Sequence, residues 1–255
     1  FDLESNLLPV LLDMKSRGVR VDIDKAEQVQ KELKRREDAL LLEIKDLTQV
    51  SVEPWVATSI AKAFDAVGLT YDRTKNTDAP SFTKQFLANH EHPLAQKIVR
   101  LREFNKANTT FIETILDHSH NSRIHCDFNP LRSDEGGTVT GRFSSSNPNL
   151  QQIPARDPEI KAMIRGLFIP EEGCKWGSFD YASQEPRWLA HYCSTLKGAN
   201  RHPQIDDVVR MYQEGNADFH QMVADIAGIT RKQAKTVNLG IMYGMGRGKL
   251  AGVMD

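Results

Sequence analysis

The sequence has no excess of charge of either sign, with 33 lysines and arginines against 34 aspartates and glutamates. The overall field therefore does not attract nucleic acid, and any contact with a polyanion has to come from local patches. The three cysteines, Cys126, Cys174 and Cys193, are odd in number and form no C-x-x-C pair. This excludes a disulfide framework and predicts free thiols in a reducing compartment. The sequence also lacks an apolar run of membrane-spanning length and a secretory signal, which predicts no contact with a membrane.

Residues 230–246 read T-R-K-Q-A-K-T-V-N-L-G-I-M-Y-G-M-G, the pattern of a helix with one distinctive face. Thr230 and Gln233 form a capping-box pattern, which predicts that the helix begins here. Every fourth residue then falls on the same face: Arg231, Lys235, Leu239 and Tyr243. Cations near the helix N-terminus and a ring further along suit a nucleoside triphosphate. The same pattern also fits an amphipathic surface helix with two solvated cations.

Residues 176–187 have the pattern of a short strand that leads into a helix. Asp180 ends the predicted strand 176–180, and Ser183 is placed to cap the helix, which tolerates Pro186 in its first turn. A carboxylate at the end of a strand is a suitable Mg²⁺ ligand, because Mg²⁺ prefers a few hard oxygens together with water and substrate phosphate.

Apolar periodicity predicts mostly helix in the first part of the chain. Helices are expected over residues 3–14, 83–89 and 97–117, and Asp24 with Glu27 predicts the start of a further long helix. Besides the strand at 176–180, short strands are expected over residues 124–131 and 167–169.

Three blocks of the sequence, in this order, resemble the family A DNA polymerases, the DNA polymerase I group. Residues 140–154, T-G-R-F-S-S-S-N-P-N-L-Q-Q-I-P, resemble the family's primer–template block. The D-Y-x-x-x-E-x-R pattern that begins at Asp180 resembles its motif A. The R-x-x-x-K-x-x-x-L-x-x-x-Y-G pattern that begins at Arg231 resembles its motif B, the O helix of the fingers. The Gln184-Glu-Pro-Arg run indicates a phage-like member, which implies the cytoplasm of a bacterial cell or of a phage-infected host.

The resemblance implies an α+β fold that is mostly helical, a partial right-hand polymerase fold with a small antiparallel palm sheet. It assigns residues 1–119 to the thumb and its approach helices. Residues 120–200 would form part of the palm, with the primer–template loop and motif A. Residues 201–255 would form part of the fingers, with the motif B helix.

The resemblance also implies a DNA-directed DNA polymerase that transfers a nucleotide from a dNTP to a primer 3′-hydroxyl with two Mg²⁺ ions. Asp180 and Lys235 would be catalytic, and Asp180 with the backbone carbonyl of Tyr181 would bind the metal ions. The implied nucleotide-binding residues are Arg231, Lys235, Leu239, Tyr243, Glu185, His220 and Arg156. The implied contacts with primer–template DNA are Arg142, Asn149 and Gln151, whose side chains could donate to minor-groove acceptors that every base pair shows.

Two departures from the family pattern bear on activity. Leu239 stands where family members carry Phe or Tyr, which implies looser contact with the incoming sugar and slower incorporation. No His-Asp-Glu block resembling motif C follows in the sequence, so this chain alone is expected to be inactive. Two alternatives remain open: a non-catalytic module that binds DNA or nucleotides, and one half of a split polymerase whose missing segment or partner chain carries motif C.

Overall fold

The computed structural model describes residues 2–134, 136–215 and 218–254. The chain divides into two compact units, the first ending at Trp176 and the second beginning at Gly177. This boundary falls inside the region 120–200 that the sequence assigns to the palm. The division into thumb, palm and fingers stays a prediction.

The first unit is mostly helical. Its α-helices are α1 (Asp2–Arg17), α2 (Ile23–Thr48), α3 (Ala57–Ala66), α4 (Lys84–Asn89), α5 (Pro93–Lys106), α6 (Glu113–Asp117) and α7 (Pro158–Arg165). A π-helical segment, Ala107–Ile112, joins α5 to α6 without a break. The helix expected over residues 97–117 is therefore confirmed, with a wider turn in its middle.

Side-chain caps explain where several of these helices begin. Thr83 accepts a hydrogen bond from the backbone of the first turn of α4, and Pro93 occupies the first turn of α5, where its missing N–H costs nothing. The start predicted at Asp24 is wrong by two residues. Asp22 is the residue in extended conformation, with φ −80° and ψ 96°, and its carboxylate accepts from the backbone N–H of Lys25.

The strands are short and pair antiparallel. They are β1 (Val19–Arg20), β2 (Asp72–Arg73), β3 (Pro80–Ser81), β4 (Ser119–His120), β5 (Arg123–Ile124), β6 (Asp127–Asn129) and β7 (Ser144–Ser146). They form a three-stranded sheet in the order β1-β5-β4 and two hairpins, β2-β3 and β6-β7. The predicted small antiparallel sheet is confirmed, although the strand expected over 124–131 is divided between two sheets.

The two other predicted strands, at residues 167–169 and 176–180, do not form as strands. Within residues 167–169, only an isolated bridge between Phe168 and Val21 forms. The strand at 176–180 is wrong: these residues are exposed and have no strand conformation. A strand needs a neighbouring strand for its backbone hydrogen bonds. No described strand pairs with residues 176–180, so their apolar pattern alone does not produce a strand.

Two apolar clusters stabilise the first unit, and α2 and α5 contribute to both. Ile44 and Ile98 are fully buried in the cluster that α3 completes. Leu33 and Phe104 belong to the second cluster, where Ile164 fixes α7 against them. Each fully buried side chain of this kind contributes about 1.5–3 kcal/mol. The second cluster thus holds in place the segment that runs into α7.

The second unit consists of α8 (Gln184–Thr195), α9 (Ile205–Gln213), α10 (Phe219–Ala227), α11 (Arg231–Met242) and α12 (Arg247–Met254). The capping box at Thr230 is confirmed, with both of its reciprocal hydrogen bonds present. Ser183 occupies the N-cap position of α8, as predicted, but its backbone is left-handed, φ 54° and ψ 44°, and its side chain makes no capping bond.

The three cysteines are free, as predicted. Among the described helices, none is both long enough and apolar enough to cross a bilayer.

Candidate nucleotide and nucleic-acid sites

A groove of about 630 Å³ runs along α11 in the second unit; we call it the α11 groove. Lys235, Leu239 and Tyr243 line it, as expected for residues four apart on one helix face. Lys235 is exposed, Leu239 is half-buried and Tyr243 is 66% exposed. The groove therefore combines cations with an aromatic ring, which suits a ligand with an anionic part and a planar part.

The far end of the α11 groove is built by the way that α11 stops. Gly244 has a left-handed backbone, with φ +76°. Its N–H donates to the carbonyl of Ile241, and the N–H of Met245 donates to the carbonyl of Gly240. This pair of bonds is the Schellman motif, which favours glycine because a side chain is strained in that conformation. The reversal brings α12 back, so that Lys249 also lines the groove.

Arg231 does not line the α11 groove. Its Nε donates to Oδ2 of Asp218 at 2.8 Å, while Oδ1 of Asp218 caps α10 by accepting from the backbone of Gln221. The hydrogen bond from Arg231 has the larger effect on the pKa of the Asp218 carboxyl, and together with the bond from Gln221 it holds this pKa below its usual range. Asp218 thereby ties the start of α11 to the start of α10, and Arg231 remains exposed beside that junction.

His220 is buried between α10 and α11, with 5% of its surface exposed. Nδ2 of Asn238 donates to its Nδ1 at 3.0 Å. Burial lowers the pKa of His220, and the charges of Arg231 and Lys235 lower it further, against the smaller opposing effect of the Asp218 carboxylate. The ring is therefore neutral at neutral pH, with its proton on Nε2. It lies close enough to Arg231 and Lys235 for their positive charges to affect its pKa.

The motif A residues lie at the start of the second unit. Asp180 and Tyr181 are exposed and precede α8, whose first turn carries Glu185, also exposed. Arg187 is held in the structure, because its Nε donates to the carbonyl of Ala182 and its Nη1 to that of Tyr212. Among the described residues, no group of three His, Cys, Asp or Glu side chains could hold a metal ion.

In the first unit, Asn149 and Gln151 are brought together at the end of β7. Asn149 caps a 3₁₀ turn, Leu150–Gln152, by accepting from the N–H of Gln151 at 3.0 Å, and it also accepts from the hydroxyl of Ser145. Nε2 of Gln151 donates to the carbonyl of Phe143. Both amide side chains are exposed and oriented by these bonds. Arg142, also exposed, lies in the loop that joins β6 to β7.

Gln151 and Arg156 line a second groove, of about 540 Å³, which we call the Arg156 groove. Lys84 of α4 and Lys106 of α5 line it too, together with the carboxylates of Glu103 and Asp157. Residues far apart in sequence thus place three cations along one surface of the first unit. Such a surface can bind a polyanion through its phosphates.

Sequence reasoning missed several residues of both grooves. Lys249 could have been suspected, since Gly244 and Gly246 signal a chain reversal after α11. Asn238, which orients His220, lies outside the four-residue spacing, and its partner on α10 is not identified by any local pattern. Lys84 and Lys106 carry no local signal, because only the packing of α4 and α5 near residues 151–156 brings them to the groove.

The chain belongs to DNA polymerase family A: the sequence model of that family matches residues 23–255. A DNA-directed DNA polymerase of Pseudomonas phage M6 is 39% identical over 264 residues, covering 98% of this chain and 40% of the relative. The DNA polymerase DpoZ of Acinetobacter phage SH-Ab 15497 is 33% identical over 281 residues, covering all of this chain and 43% of the relative. The predicted family and its phage-like character are confirmed.

Bacterial relatives match over the same region. The thermostable DNA polymerase I of Thermus aquaticus is 32% identical over 268 residues, covering 98% of this chain and 30% of the relative. Among solved structures, the POL domain of Pol1 from M. smegmatis, in complex with DNA primer-template and dNTP, has a TM-score of 0.75 at 22% identity. It covers 97% of this chain and 43% of that one. The predicted polymerase fold is confirmed, and this chain spans less than half the length of these relatives.

Proposed function

We propose that this chain is part of a DNA-directed DNA polymerase, which transfers a nucleotide from a dNTP to the 3′-hydroxyl of a primer paired with a template. The observation that carries the proposal is the α11 groove, where Lys235, Leu239 and Tyr243 face one cavity in a chain of DNA polymerase family A. The M. smegmatis domain of the same fold was solved with primer-template and dNTP, which supports these ligands here.

In this proposal, the residues of the second unit bind the incoming dNTP. Lys235 and the exposed Arg231 hold the triphosphate, and Lys235 gives a proton to the leaving pyrophosphate. Leu239 and Tyr243 contact the sugar and base, and Glu185 fills the space that a ribose 2′-hydroxyl would need. His220 donates to the triphosphate from its neutral ring. Its Nε2–H is the available donor, because its Nδ1 already accepts a hydrogen bond from Asn238.

The donor set around Asp180 fits a partial Mg²⁺ site. Its carboxylate is exposed and is followed by the carbonyl of Tyr181, and Mg²⁺ in polymerase-type sites binds with one or two carboxylates, waters and substrate phosphates. Asp180 and the Tyr181 carbonyl are therefore the ligands that this chain would offer to two Mg²⁺ ions. Bound there, the ions would stabilise the charge that develops on the phosphate.

The residues of the first unit bind the primer–template in this proposal. Asn149 and Gln151 are exposed amides held by Ser145 and by the carbonyl of Phe143, so they present fixed donors to the minor groove. Arg142 contacts the duplex from the preceding loop. Arg156, for which the family pattern implies contact near the triphosphate, lines its own groove with Lys84 and Lys106.

A second candidate function is a module that binds DNA and nucleotides but reacts only when another segment or chain supplies a second carboxylate. The isolation of Asp180 favours it, because the described residues hold no cluster of three metal-binding side chains. The two candidates share the same binding surfaces and differ in whether this chain extends a primer unaided.

Primer extension with the intact natural protein, and with this chain alone, tests the proposal. We expect Lys235→Met in the intact protein to lower the rate of incorporation by about a hundredfold, since it removes a charge that acts on the transition state. DNA binding without dNTP should be unchanged, and Lys197→Met, an exposed cation of the same unit outside the α11 groove, should extend normally.

The possible outcomes separate the candidates. If the intact protein extends the primer, while this chain alone binds primer–template without extending it, the second candidate is correct for this chain. An intact protein that binds neither DNA nor dNTP would overturn both.

A further inference from the structure

Arg100 connects three carboxylates near the Arg156 groove. It projects from α5, and its Nη1 donates to Oε2 of Glu103 at 2.9 Å and to Oδ2 of Asp157 at 2.9 Å. Its Nη2 donates to Glu159 in the first turn of α7. The guanidinium also lies over the ring of Phe104, 4.2 Å from its centroid. Only 26% of its side chain is exposed, so the group is fixed in this arrangement.

Two of these carboxylates line the Arg156 groove. Glu103 and Asp157 share it with the cations Lys84, Lys106 and Arg156. Within the part of the chain that the structure describes, none of these three cations pairs with a carboxylate. Without Arg100 the groove would present two free carboxylates to a polyanion. With Arg100 both are already hydrogen-bonded to a cation, whose positive charge offsets part of their combined charge and weakens their opposition to the positive charges of the groove.

We propose that Arg100 is a positioning residue for DNA binding: it hydrogen-bonds Glu103 and Asp157 and offsets part of their negative charge, so that Lys84, Lys106 and Arg156 can attract the phosphates of primer–template DNA. The inference rests on the proposed function, since it takes the polyanion to be the polymerase's DNA. Arg100 itself faces the carboxylates and not the ligand.

A second contribution of Arg100 is geometric. Asp157 is the N-cap of α7 and follows directly after Arg156, so the bonds from Arg100 fix the backbone next to Arg156. Arg36 of α2 also donates to Glu159, which ties α7 to a second helix. The planar fork of arginine reaches Asp157 and Glu159 at once, whereas a lysine would offer a single point charge.

Binding of a fluorescent primer–template duplex to the intact protein tests this proposal. We expect Arg100→Met to weaken binding about tenfold at low ionic strength, because two carboxylates become free beside the phosphates. The difference should shrink as salt is added, since screening weakens repulsion between exposed charges. Lys97→Met is the matched control: it lies one turn earlier on α5, pairs with Glu43 of α2 and is outside the groove, so it should bind normally.

Rescue separates electrostatics from damage to the fold. In the Arg100→Met background, Glu103→Gln combined with Asp157→Asn removes both negative charges, and asparagine still caps α7. We expect this triple variant to recover wild-type affinity to within about twofold. Failure of the rescue, or normal binding by a folded Arg100→Met, would overturn the inference while leaving the proposed function intact. A wild-type protein that does not bind the duplex would instead overturn the proposed function.

Discussion

His220 has an environment that makes the stability of the second unit depend on pH. Its ring is buried against Asn238 and lies in the fields of Arg231 and Lys235. Burial and these positive charges favour the neutral ring in the folded state and together outweigh the nearby Asp218 carboxylate, which favours the charged ring. In the unfolded chain these conditions are gone, so the pKa of the side chain returns to the ordinary value of about 6.5.

The sign of the effect follows from this difference. Because folding lowers the pKa of His220, its contribution to stability is complete above about pH 6.5 and is lost as the pH falls below that value. We expect urea unfolding to show a smaller free energy for the second unit at about pH 5 than at about pH 7.5. His220→Gln should reduce this difference, while the exposed His191→Gln should keep it. Equal pH dependence in both variants would contradict the assignment.

At the scale of single residues, a local pattern identifies some groove-lining side chains and not others. Lys235, Leu239 and Tyr243 were found because helical spacing alone places them on one face. Arg231 belongs to the same pattern but is bonded to Asp218, a partner that no local rule identifies. Lys249 enters the α11 groove through the chain reversal at Gly244, and the neutralisation of Asp157 by Arg100 depends on the packing of two distant helices.

At the scale of elements, the end of α11 depends on one backbone conformation. Gly244→Ala would place a side chain in the left-handed region, and we expect it to lower the free energy of unfolding by about 1–2 kcal/mol. Gly248, inside α12, does not have a left-handed backbone. A Cβ added at this residue would meet no other atom within 4 Å. Gly248→Ala should therefore stabilise the protein slightly, by about 0.5–1 kcal/mol.

Urea unfolding of both alanine variants checks this prediction. Opposite shifts in the two variants are expected, because the same added methyl group is strained at one position and favoured at the other. A Gly244→Ala variant as stable as the wild type would show that the Schellman motif does not control the end of α11.

Helices were predicted more accurately than strands, for a physical reason. Helical hydrogen bonds and caps are local, so Thr230 and Thr83 mark helix starts in the sequence itself. A strand is completed by a neighbour that the sequence does not name. Residues 176–180 have an apolar pattern typical of a strand, but no described strand lies beside them, and they remain irregular.

At the scale of the whole molecule, three motifs in the expected order were enough to predict the family and the fold. Both are confirmed by the match to DNA polymerase family A over residues 23–255 and by a TM-score of 0.75 to a polymerase domain. The boundary between the two compact units was not predicted. It lies at Trp176, just before motif A, where neither a glycine-rich stretch nor a charge run marks it.

The irregular segment at this boundary offers an exposed site to a protease. Phe179 is 98% exposed, Tyr181 is 81% exposed and Trp176 is 60% exposed, and the residues around them form no helix or strand. Proteases cut exposed, irregular backbone first, and chymotrypsin has a hydrophobic pocket for such rings. Brief digestion should therefore give two bands that separate the grooves, and a Phe179→Ser/Tyr181→Ser variant should resist longer. If the first cut fell inside α2 or α5, this expectation would fail. A confirmed cut would yield the two binding surfaces as separate samples.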